Sequence, residues 1–190
     1  MVQLSALCGG SSATSERDNY PASLQSEINE LNAFVYENVN NGVYRCGFAG
    51  TQSAYEAAVR RLFHALDTLE ERLSRTRYLV GDTLTEADWR LFTTLVRFDA
   101  VYYGHFKCNL RRLEEYSNLS GYLRDLYQMP GIAETVDLDH IKRHYYVSHA
   151  HINPTLIVPL GPQLDFLRPY ERERFRSPGP GPDSLAVQRE

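Results

Sequence analysis

The chain has 190 residues and a net charge of −4, from 20 Lys and Arg against 24 Asp and Glu; 43% of the residues are apolar, 12% aromatic and 23% charged. That length suits one domain or at most two small ones, and the composition excludes a fibrous or compositionally disordered chain. The basic residues are spread out, which excludes the footprint of a nucleic-acid binder, and no apolar run approaches the ~20 residues of a membrane span.

The first residues, MVQLSALCGG, lack the charged and apolar regions of a secretory signal, so a cytoplasmic address is expected. Cys8, Cys46 and Cys108 are odd in number and widely spaced, which suggests neither a disulfide framework nor a zinc site. Residues 1–19 mix Gly, Ser, Thr and charge without periodicity and are expected to be a disordered N-terminal segment.

From Leu24 the apolar positions Ile28, Leu31, Val35 and Val39 follow at steps of four, three, four and four, one stripe of a helix. Asn40-Asn41-Gly42 is expected to end it, because Asn and Gly tolerate the left-handed C-cap conformation. Residues 43–50 then read as a packed loop. Ser53 with Glu56 suggests a capping box, and Tyr55, Val59, Leu62, Leu66, Leu69 and Leu73 predict a helix of five turns.

Thr85-Glu86-Ala87-Asp88 is a second capping box, flanked by Leu84 and Trp89 as a hydrophobic staple. The stretch from Trp89 to Tyr103 is apolar almost all round, which predicts the buried central helix of a bundle. Leu119, Leu123 and Leu126 line a short helix that stops before Pro130, and Asp137 opens another over 140–148. Beyond it prolines enforce an extended course, and residues 163–190, including SPGPGPD at 177–183, are expected to form an extended and disordered tail. With no period-two pattern of useful length, the fold class is all-α, a bundle of five or six helices.

Chemistry is less plainly written. His140, His144, His149 and His151 crowd twelve residues, yet no carboxylate or thiolate stands at fixed spacing from them, so solvated or core histidines are favoured over a metal site. Tyrosine is abundant, at 13 residues; Tyr44, Tyr102, Tyr103, Tyr145 and Tyr146 suit either a pocket for a flat aromatic ligand or the sealing of helix ends. Cys46, beside Arg45, and Cys108 are weighed as nucleophiles, with structural thiols preferred.

Taken together, NNGVY (Asn40–Tyr44) with Gly47-Phe48-Ala49, YLVGDTLTEAD (Tyr78–Asp88), RLFTTLVRFD (Arg90–Asp99), GHFKCNL (Gly104–Leu110), GYLRDLYQ (Gly121–Gln128) and HYYVSHAHINPT (His144–Thr155) resemble one family. It is the C-terminal helical domain of the glutathionyl-hydroquinone reductases, the Xi-class glutathione transferases, and the likeness runs over residues 20–162. The resemblance implies a glutathione transferase C-terminal-like bundle, glutathione as co-substrate, no metal and a homodimer. It also implies a preceding thioredoxin-like domain that carries the catalytic Cys, which these 190 residues do not supply.

The helical domain is then expected to hold the hydroquinone, with Tyr44 and Tyr145 as substrate-binding, assisting phenols, while Tyr102 and Tyr103 remain packing residues and Thr85 and Asp88 cap a helix. Four positions depart from the family pattern: Leu156 stands where Gly is usual, Cys46 where Ala is common, and Ser117 and Ser120 where Pro and Trp are usual. A left-handed backbone at 156 is therefore not expected to survive. The alternative reading is a non-catalytic interaction module.

Overall fold

The computed structural model describes residues 18–175; the expectations for residues 1–17 and 176–190, Cys8 among them, fall outside it. The described residues form an all-α bundle: α1 (Gln25–Val35), α2 (Asn41–Gly47), α3 (Gln52–Arg75), α4 (Glu86–Arg97), α5 (Ser117–Tyr127) and α6 (Leu138–Ser148). The sole extended pairing among them is an isolated bridge between Val80 and Thr83. None of their helices is long and apolar enough to cross a membrane.

The stripe of α1 buries Ile28, Leu31 and Val35 as its spacing requires. The helix does not stop at Asn40-Asn41-Gly42. It passes through one π-helical turn, Tyr36–Asn40, straight into α2, so much of the expected packed loop is helical. Asn40 is not free to cap. Asn38 Nδ2 donates to the Phe34 carbonyl at 2.8 Å, and Asn40 Nδ2 reaches across to the Arg90 carbonyl and Thr94 Oγ1 on α4 at 3.1 and 2.5 Å. Tertiary partners thus outbid the terminator tendency of Asn. Gly47 is needed because a Cβ there would lie 2.3 Å from the Phe106 ring.

The longest helix, α3, starts two residues earlier than the Ser53 reading. Thr51 is its N-cap and accepts from the Ala54 amide at 3.2 Å; Ser53 lies within the first turn. Val59, Leu62, Phe63, Leu66, Leu69 and Leu73 are buried along its inner face. Each such side chain contributes ~1.5–3 kcal/mol of transfer free energy.

The start of α4 is the expected capping box of Thr85 and Asp88, both fully buried. The Asp88 carboxylate does more than close the box. It accepts from the Thr85 amide at 2.8 Å and hydroxyl at 3.2 Å, from the Leu79 amide at 2.9 Å and from the Tyr122 hydroxyl at 2.8 Å, joining the 78–85 turn, α4 and α5. Burial still pushes its carboxyl up from the ordinary value. A second π-helical turn, Phe98–Tyr102, follows α4 and is buried throughout.

Helix α5 is capped from outside its own segment. Glu70 on α3 accepts the Asn118 and Leu119 amides at 2.8 and 2.7 Å, so Ser117 starts the helix without a cap of its own. For α6, Asp137 accepts the His140 amide at 2.9 Å.

The C-terminal segment takes the extended course expected of it, but over 163–175 it is docked and not loose. Arg172, 2% exposed, donates to the carbonyls of Leu73 (3.2 Å), Thr76 (2.7 Å), Arg77 (2.7 Å) and Asn118 (3.5 Å). Gln128 Nε2 holds the Phe166 and Arg168 carbonyls, each at 2.8 Å, and Arg124 holds that of Pro169 at 3.0 Å. Proline-rich spacing predicts extension; it cannot show a buried guanidinium that fastens the strap.

Candidate aromatic site

The two π-helical turns set up the site. Each interrupts helical phasing just where a tyrosine is presented, the first ahead of α2 with Tyr44, the second ending in Tyr102 itself. The inner face of α6 supplies Tyr145 and Tyr146, both buried. Tyr44 Oη lies 2.7 Å from Tyr145 Oη, and Tyr102 Oη lies 2.8 Å from the same oxygen, so three phenols form one hydrogen-bond chain centred on Tyr145. Tyr44 is 39% exposed and Tyr102 only 3%. The chain runs from the core to the surface.

Aromatic rings frame it. Phe106 meets Tyr44 edge-on at 5.3 Å, stacks with Tyr102 at 5.5 Å and touches Tyr145 at 5.9 Å. Phe48, 47% exposed, stacks on His151 at 5.2 Å and on Tyr44 at 6.1 Å. Such offset and edge contacts fix ring positions. Beside Tyr44 and Phe48 a recess of about 780 Å³ opens between α2 and α3, with Asn41, Arg45, Ala57 and Arg61 on its walls.

Burial pushes the Tyr145 phenol up to about 12, with Tyr44 adding to the rise and the Tyr102 hydrogen bond opposing it. Burial likewise drives Tyr102 far upward. Both stay neutral near pH 7 and act as hydrogen-bond donors without introducing a buried charge.

The structure sorts the other candidates. Tyr103 is half-buried with the Arg112 guanidinium over its ring, a packing role. Tyr102, read from the sequence as packing, belongs to the phenol chain; its place four residues after Phe98 and seven after Leu95 on a core-facing stripe was the available signal, since a phenol there needs a buried partner. His149 Nδ1 lies 3.1 Å from His105 Nε2, a residue that sequence reading passed over. Burial, with His149 next, pushes His105 down to about 4. His140 is exposed, His144 lies edge-on against Tyr145 at 5.2 Å, and among the described residues no three His, Cys, Asp or Glu gather as metal ligands do.

Cys46 and Cys108 are free thiols, both buried. Cys46 is drawn down by a hydrogen bond with Cys108, not by Arg45, whose guanidinium is bound to Glu37 at 2.7 Å; burial pushes Cys108 up. Leu156 keeps a left-handed backbone, φ 56°, despite its side chain, against the expectation from its sequence. Asn153 enforces this turn by accepting the Leu156 amide at 3.1 Å and donating its side-chain amide to the Tyr146 and Ile157 carbonyls. The strain costs ~1–2 kcal/mol.

Residues 52–125 match the family of the glutathione S-transferase C-terminal domain. The fold is that of a glutathione S-transferase C-terminal domain. The chain is 56% identical over 156 residues to the glutathionyl-hydroquinone reductase YqjG of Escherichia coli K12, covering 82% of this chain and 48% of that protein. It is 59% identical over 145 residues to the glutathionyl-hydroquinone reductase PcpF of Sphingobium chlorophenolicum, covering 76% and 46%.

Among solved structures, the glutathione-bound form of YqjG from E. coli K-12 superposes with a TM-score of 0.82 at 55% identity, over 86% of this chain and 52% of that one. A Xi-class transferase from Natrialba magadii gives 0.82 at 52% identity, over 84% and 49%. The chain spans about half the length of the curated relatives it matches.

Proposed function

We propose that this chain is the hydroquinone-binding helical half of a glutathionyl-hydroquinone reductase. The observation that carries the reading is the contact of Tyr44 Oη with Tyr145 Oη at 2.7 Å across 101 positions of sequence, at the head of an aromatic cluster, in a chain more than half identical to two such reductases. In the proposed reaction a cysteine thiolate attacks the sulfur of the glutathionyl-hydroquinone. The sulfur–ring bond breaks, the ring carbon takes its electron pair and a proton, and the cysteine is left in a mixed disulfide with glutathione. A second glutathione thiolate attacks that disulfide, releasing oxidised glutathione and the free cysteine.

Tyr44 holds a ring oxygen, with Tyr145 hydrogen-bonded behind its hydroxyl, while charge builds on the departing ring, a role commonly worth ~10²-fold in rate. The attacking thiol comes from the half of the relatives that this chain does not span. Cys46 and Cys108 are unsuited to it, being buried against each other.

Titration of the 190-residue chain with hydroquinone tests the reading. Binding is expected, with Tyr44→Phe and Tyr145→Phe each weakening it. Glutathione-dependent release of hydroquinone from its glutathionyl adduct is expected only when the thioredoxin-like half of a relative is supplied, because catalysis needs thiol and substrate held together. Turnover by the chain alone that survives both tyrosine substitutions and vanishes with Cys46→Ser would sink the proposal.

A further inference from the structure

We infer that Tyr102 is a positioning residue that sets the direction of the phenol chain: it donates to Tyr145, Tyr145 donates to Tyr44, and the Tyr44 proton is left for an acceptor oxygen on the bound aromatic ring. This rests on the reading that the site holds an aromatic substrate, and it adds which kind of ring oxygen the site selects.

The argument is a count of protons. A phenol carries one donor hydrogen, and its oxygen can accept as well. Tyr102 is 3% exposed, and the hydrogen bond that its hydroxyl makes among the described residues is with Tyr145 Oη at 2.8 Å. If Tyr102 accepted from Tyr145, its own proton would be buried with no acceptor, at the full desolvation cost of that group. So Tyr102 donates. The oxygen of Tyr145 is then occupied as an acceptor, and its single proton goes to Tyr44 Oη at 2.7 Å. Tyr44, the exposed member, receives a hydrogen bond and has its own proton to give.

The histidines near the chain do not supply a competing acceptor. His149 faces Tyr145 ring to ring at 5.6 Å with its Nδ1 against His105, and His144 lies edge-on at 5.2 Å. The upward shift of Tyr102 and Tyr145 agrees with both remaining protonated. A chain of three aligned donors also polarises itself, so the outermost hydroxyl is a stronger donor than an isolated phenol. The site therefore favours a ring oxygen that accepts, above all one carrying negative charge, over a ring hydroxyl that must donate.

The probe is 4-nitrophenol, whose phenolate is read by its absorbance, titrated from acid to alkaline pH with the 190-residue chain in excess. Bound probe is expected to ionise at lower pH than free probe, by about one unit, as hydrogen bonds to the charged form require. Tyr44→Phe should abolish the shift and Tyr102→Phe should reduce it to less than half, whereas Tyr103→Phe, a neighbouring phenol outside the chain, should leave it whole. Ionisation at higher pH on binding, or a full shift in Tyr102→Phe, overturns the inference. If the wild-type chain does not bind the probe, the substrate reading fails instead, and proton NMR of the hydroxyls still decides the direction. The Tyr145 hydroxyl proton should show a nuclear Overhauser contact to the Tyr44 ring; a contact to the Tyr102 ring in its place refutes the inference.

Discussion

Asp88 and Thr85 look like equal partners in a capping box, and from the sequence alone each would be worth about the same. The structure separates them. Thr85→Ala removes one cap and should cost ~1 kcal/mol. Asp88→Ala strands the amides of Leu79 and Thr85 and the Tyr122 hydroxyl in the core, and should cost ~3 kcal/mol or more, with the double variant close to Asp88→Ala alone; urea unfolding measures all three. His105 gives a pH dependence. Its folded-state value, pushed down by burial to about 4, lies below the ordinary 6.5, so the unfolded chain takes up a proton that the folded chain refuses. Stability is full above pH 6.5 and falls as the pH drops toward 4. His105→Gln should lose less over that window, read as melting temperature against pH. At this scale the sequence marked Tyr44 and Tyr145 only through a resemblance. Their contact spans 101 positions, and no local spacing encodes it.

Helices were legible where an apolar stripe met a water-facing side, as in α1 and α3, because that period reports which face is buried. Boundaries were legible only where the cap is local, as at Thr85 and Asp137. They were hidden where the deciding partner is distant: Asn40, read as a terminator, continues a helix because Arg90 and Thr94 take its side chain, and the start of α5, which no local cap marks, rests on Glu70 of α3 accepting the Asn118 and Leu119 amides. That borrowed cap is testable. Glu70→Ala should destabilise the fold by ~1–2 kcal/mol through the lost amide acceptors and the uncompensated helix dipole, and Glu70→Gln by less, since an oxygen acceptor remains. Urea midpoints compare the two.

The whole molecule is closed by the strap at 163–175. Arg172→Ala should cost about 2–3 kcal/mol through the lost carbonyl hydrogen bonds and free the strap, so that chymotrypsin cuts after Phe166 much faster than in the wild type. Gly121→Ala should reproduce the faster cleavage without touching the arginine, because a Cβ there would stand 2.6 Å from the Tyr170 carbonyl and lift the strap from α5. The same arrangement has a consequence in time. Three of the carbonyls that Arg172 binds precede it by 95 to 99 positions, and its fourth partner, Asn118, sits at the start of α5. The guanidinium finds its partners only after α3 and α5 have come together, so its contacts are made late, beyond the rate-limiting step of folding. In stopped-flow experiments Arg172→Ala should therefore speed unfolding while leaving the refolding rate close to that of the wild type. The strap governs how long the bundle persists once formed, and has little part in how quickly it forms.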